Sequence, residues 1–309
     1  MSTDAVREPT ASMPWLRRVR SLVALALVWA VLHFVLAPLL LPVGLDRPVT
    51  LGATEQPILA AVALALVVWA GSYVAPLIAG SRYGEQGLMY VAIALAVWAY
   101  PRGTMDEWLL LASPDGAVGP PTSAPYWPLL FEYIWLVVLL AVAAGISFVA
   151  GPAVGGTSDS PGQRVRRAFA LNASATKRGQ GLLSLVVTAV VFVVLMLLLT
   201  GPPAGETLAG QVYFAVAIAS AVGVFAGTRV SPARDSIWFW PAPLLAGLLG
   251  VILAAMKPAL GIPAEYNQLN SIPAWALVRP LPLQMVSVGV VASLWALRTI
   301  KAGSTPARG

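Results

Sequence analysis

Long apolar runs, nearly free of charge, alternate along the chain with short segments rich in Arg, Gly and Pro. A helix needs about 20 apolar residues to cross roughly 30 Å of hydrocarbon. On that scale the runs predict eight transmembrane helices, at 19–41, 57–79, 86–100, 129–150, 181–200, 211–228, 237–256 and 281–299. The third is short, and such a segment must recruit its flanks, thin the bilayer or lean on neighbours. The fold class expected is therefore all-α, a polytopic integral membrane protein.

Composition agrees with the pattern. Hydrophobic residues make up 58% of the chain and charged residues 10%, with a mean hydropathy of +0.80. A soluble domain is usually about a quarter charged. The first run is too long for the core of a signal peptide and has no clear small-residue cleavage site, so we read it as a retained span.

Charge then orients the spans, because cationic loops next to a membrane helix stay on the cytoplasmic side. With the amino terminus inside, only Arg47, Arg102, Lys257 and Arg279 of the 19 Lys and Arg residues fall outside. Both termini are expected in the cytoplasm, and the location expected is a bacterial cytoplasmic membrane. The same sorting excludes nucleic acid. A net charge of +6 and a pI near 9.9 invite that partner, but a nucleic-acid site needs its cations clustered on one solvent face.

Two phrases recur. Ser123, Pro125 and Trp127 are echoed by Ser271, Pro273 and Trp275, and Gly80 with Arg82 by Gly227 with Arg229. The spacing between the phrases is nearly the same in both copies, and each phrase holds the same place relative to its spans. This predicts a 4+4 internal repeat. Four spans return the chain to its starting side, so the copies face the same way, related by a pseudo-twofold along the membrane normal. The divisions expected are an amino-terminal tail at 1–18, a first four-helix unit at 19–150, a basic linker at 151–180, a second unit at 181–299 and a tail at 300–309.

These phrases also have structural readings. Gly80 and Gly227 suit the left-handed conformation that ends a helix, with Arg82 and Arg229 at helix carboxyl ends beside anionic headgroups. Pro125 and Pro273 interrupt loops, and Trp127 and Trp275 suit the headgroup layer. Ala219, Gly223 and Gly227 put small residues on one face of the sixth span, which permits close helix packing.

Ionisable groups inside spans are functional candidates because they are costly there. His33 is the sole histidine. Without histidine or cysteine partners it cannot build a two-histidine haem site, a zinc site or a catalytic triad. A single hydrogen bond to a neighbouring helix is expected. Glu132 lies about one helical turn inside the fourth span. Its plainer reading is an interfacial carboxylate paired with Arg279 or Arg102, and its sharper reading is a cation or proton site. Trp127 and Trp275 join these four as candidate ligand contacts.

No catalytic motif is found: no His-Glu-x-x-His, no Gly-x-Ser-x-Gly and no phosphate-cradling glycine loop. The chain also lacks cysteine. We expect no enzyme, no metal and no cofactor. The loop at 164–178 carries Val165, Ala168 and Phe169 at helical spacing among arginines, which predicts a segment lying on an anionic inner leaflet. Two function classes remain: a permease-like carrier of a lipid or other hydrophobic small molecule, and a non-catalytic scaffold or subunit of a larger membrane assembly. Apolar spans also admit homo- or hetero-oligomers.

Overall fold

A computed structural model describes residues 14–40, 48–81, 84–112, 123–155, 160–170, 173–200, 209–233, 235–257 and 276–303. Every regular element among them is helical. The first span is α1 (Pro14–Val31), continued by a π-turn at Leu32–Leu36 and by α2 (Ala37–Leu40). Pro38 explains the turn: it has no N–H to offer the Phe34 carbonyl four residues back, so the ladder reorganises just before it. The Ala37 N–H donates to Leu32 instead.

Next come α3 (Pro57–Ala79), α4 (Gln86–Ala99), α5 (Met105–Ala112), α6 (Tyr126–Gly155) and α7 (Pro161–Ala168). The chain continues with α8 (Ala175–Leu199), α9 (Ala209–Val230), α10 (Pro241–Met256) and α11 (Pro282–Gly303). Among the described residues seven segments are long and apolar enough to cross a membrane, and the short third span corresponds to α4. The protein is thus a multi-pass membrane protein by helix length and composition.

Helix ends shift from the sequence expectation where a cap decides. Ser174 accepts a hydrogen bond from the Lys177 N–H, so α8 starts at Ala175 and takes Lys177 and Arg178 into its first turn. Gly80 has φ of +63° and its N–H bonds to Leu77, while the Ser81 N–H bonds to Pro76. This is a Schellman end. Gly80→Ala is expected to lower stability by about 1 kcal/mol, since the left-handed conformation strains any side chain; chemical denaturation in detergent would measure it.

Gly227 corrects the parallel drawn from sequence. It lies inside α9, which continues to Val230, and it does not take a positive φ. Its role is proximity: a Cβ there would stand 2.8 Å from the Ser184 carbonyl oxygen of α8. At Gly223 a Cβ would stand 2.8 Å from the Thr188 carbonyl oxygen. Ala219 is buried on the same helix. Arg229 is exposed in the last turn, its guanidinium 4.9 Å over the Phe225 ring. Arg82, Ser271, Pro273 and Trp275 lie outside the described residues.

Helix neighbours define the bundle. α3 packs on α1, α4 and α6, while α9 packs on α8 and α11. α11 also meets α4, α6 and α10, and its residues from Pro282 to Val290 are all buried. Close approach on this scale relies on small side chains, because lipid tails are as apolar as leucine and provide no separate hydrophobic drive. α7 docks on α6, with Arg164 Nη1 donating to the Val149 carbonyl at 3.2 Å. We call this the α7 end of the bundle. The other is the α5 end.

Candidate functional site

At the α5 end, three chain segments knit into a polar layer above the spans. A 3-10 turn at Leu51–Ala53 is closed on itself: Thr50 Oγ1 accepts from the Ala53 N–H, and Thr54 Oγ1 donates to the Leu51 carbonyl. The Leu51 N–H then donates to Glu132 Oε2 at 2.9 Å. Beside it, Trp108 Nε1 donates to the Pro125 carbonyl at 3.0 Å, and its ring abuts Gly52. Thr104 and Glu107 form the return half of a capping box, the Thr104 N–H donating to Glu107 Oε2 at 2.7 Å. Gln284 of α11 completes the layer, donating to the Gly103 carbonyl and accepting from the Leu281 N–H.

Glu132 is buried in this layer, with only 4% of its surface exposed. α6 begins at Tyr126, so the carboxylate sits about 9 Å below the helix start. That is deeper than the sequence implied. Its expected ion pair is absent: among the described residues Glu132 meets neither Arg279 nor Arg102 as a salt bridge. A backbone N–H takes the place of the cation, which the positions of charged residues cannot reveal.

Arg279, also 4% exposed, turns elsewhere and donates through Nη1 to the Thr200 carbonyl at the end of α8. The Arg102 guanidinium lies 5.7 Å over the Trp98 ring, and its Nε is buried without a hydrogen-bond partner. Trp127 is exposed on the first turn of α6. Ser123 and Pro125 precede that turn, and the Tyr126 N–H closes on the Ser123 carbonyl.

His33 also departs from expectation. In place of a hydrogen bond to another helix, its ring stacks on Trp29 at 4.9 Å and meets Phe34 edge-on. Phe34 is 72% exposed, so this aromatic group faces the outside of the bundle. His33 lies within the π-turn itself. Among the described residues no three His, Asp or Glu side chains gather as metal ligands would.

No protein-family model, curated protein or solved structure matches the chain.

Two concave surfaces stand out, and both lie among helices α1 to α7. One, of about 330 Å³, runs between α1 and α3 and is lined by Ala24, Val28, Gly71 and Ala75 among other apolar residues. The larger, of about 490 Å³, lies where α3, α6 and α7 meet, and among its lining residues only Tyr73 has a side chain with a polar group. Leu66 and Val74 on the first, and Tyr73 and Val142 on the second, are exposed, so both grooves open sideways. Sequence reasoning named Val165 and Phe169 as interfacial but missed that they wall a groove. The partners from α3 and α6 are distant in sequence, and only the fold joins them.

Proposed function

We propose that this protein is a permease-like carrier of a lipid or other hydrophobic small molecule, built as two parallel four-helix units with both termini in the cytoplasm. The observation that carries the reading is the sideways opening of grooves with almost entirely apolar walls. A hydrophilic ionic substrate would find no partners there, whereas an apolar one can enter from the bilayer without crossing water.

The repeat is supported by neighbour relations. Let α1, α3, α4 and α6 correspond to α8, α9, α10 and α11. Each packing pair in the first set then has its counterpart in the second: α1 on α3 matches α8 on α9, and α3 on α6 matches α9 on α11. Neither α1 with α6 nor α8 with α11 forms an extensive contact among the described residues. Between sets, α4 on α11 is mirrored by α6 on α10, and α6 meets its own counterpart α11. A twofold generates this pattern. The two charged tethers follow it as well. Glu132 and Arg279 lie at the starts of the last spans, and each holds backbone beyond the first span of its own unit.

Reconstitution into liposomes tests carriage. A fluorescent lipid placed in one leaflet is expected to change sides faster with protein than without. Equal rates would sink the carrier. The second reading, a non-catalytic subunit of a larger assembly, is favoured by the burial of α11, which leaves the seam between units packed. That reading expects copurification with another chain at fixed stoichiometry.

A further inference from the structure

We propose that the groove between α3, α6 and α7 holds an acyl chain of an anionic glycerophospholipid, with the lipid phosphate on Arg164 and Arg166. The inference rests on the reading above only in placing an apolar ligand in that groove; it adds the headgroup class.

The groove extends along α6 from Ala141 to Val149, about 12 Å of helix, which suits an extended hydrocarbon chain. Its lower wall is built by Val165 and by Phe169, one turn further on. The same short segment is cationic: Arg164 and Arg166 flank Val165, and Arg167 follows. The Arg164 bond to the Val149 carbonyl fixes a guanidinium at the groove mouth, since Val149 is itself a wall residue. Arg166, two residues further along α7, is exposed, and Lys177 and Arg178 are exposed in the first turn of α8.

Apolar wall and cationic rim thus meet where a leaflet boundary would run. Guanidinium groups favour phosphate through charge and paired N–H donors. Water-soluble phosphate would use the rim alone and leave the groove empty. A neutral apolar molecule would use the groove alone. Only an anionic lipid uses both.

The test uses the full chain purified in neutral detergent and offered equal amounts of phosphatidylglycerol and phosphatidylcholine, with retained lipid counted by native mass spectrometry. Phosphatidylglycerol is expected to be enriched. Arg164→Gln with Arg166→Gln should weaken its retention by roughly fivefold for each cation removed and leave phosphatidylcholine unchanged. Gly145→Leu fills the groove wall, next to Phe169 at 3.6 Å, and should expel both lipids. A photoreactive phosphatidylglycerol on the unaltered protein should label Val165 or Phe169, a readout that needs no variant to fold.

Equal retention of the two lipids by the unaltered protein overturns the headgroup assignment. So does competition by inorganic phosphate alone. If Gly145→Leu still expels lipid in either case, the apolar reading of the groove stands while this inference falls. Labelling elsewhere, with no effect of Gly145→Leu, removes both.

Discussion

Replacing Gly87 with alanine is expected to destabilise the protein by about 3 kcal/mol, from overpacking plus the loss of a buried hydrogen bond. The reason begins in α3. Pro76 has no N–H, so the Ser72 carbonyl one turn earlier lacks its helical donor. α4 lies against that exposed carbonyl, and a Cβ on Gly87 would collide with the Ser72 oxygen and stand 2.7 Å from Ser147 Oγ. Ser147 in turn binds both sides of the helix start, donating to the Gly84 carbonyl and accepting from the Leu88 N–H.

One methyl group would therefore press on a backbone atom that cannot rotate away, and would disturb the hydroxyl that fixes α4 to α6. Denaturation in mixed micelles should register the loss. Gly179→Ala is the matched control, because nothing stands within 4 Å of a Cβ there. It should hold or raise stability by up to about 1 kcal/mol through helix propensity. If the two variants behave alike, the tight seam between α3 and α4 is wrong.

The spans were legible in sequence because the cost of charge in lipid writes itself as long uncharged runs. The shortness of α4 was legible for the same reason, as was the cationic apolar segment that became α7. What escaped was everything decided by partners distant in the chain. Gly80 and Gly227 sit in nearly identical phrases, yet one ends a helix and the other lets α8 approach α9. The difference lies in Ser184 and Thr188, which the phrase does not contain. His33 looked like a polar group seeking a partner, but the π-turn before Pro38 sets it between Trp29 and Phe34. Backbone groups are the largest blind spot. Residue patterns show which side chains carry charge but not which N–H or carbonyl will stand opposite them, and both deep charges at the α5 end chose backbone.

That choice gives the last prediction. Glu132→Leu removes the acceptor from the Leu51 N–H and leaves a buried donor unpaired, a penalty of about 2 kcal/mol on the closed turn, so the Leu51 amide should exchange hydrogen roughly thirtyfold faster. Glu132→Gln keeps an oxygen in place and should retain most of the protection. Arg279→Met, which frees the Thr200 carbonyl, should leave Leu51 exchange unchanged, because the two side chains bond different stretches of backbone. Combined with Glu132→Leu it should be additive to within about 0.5 kcal/mol in overall stability, as for independent sites. An ion pair predicts the opposite, since removing either partner would then remove the interaction and the second substitution would cost little more. A coupling above about 1 kcal/mol in that cycle would mean that Glu132 and Arg279 meet after all. The turn at Leu51–Ala53 would then owe its closure to a charge pair rather than to a carboxylate bonded to backbone alone.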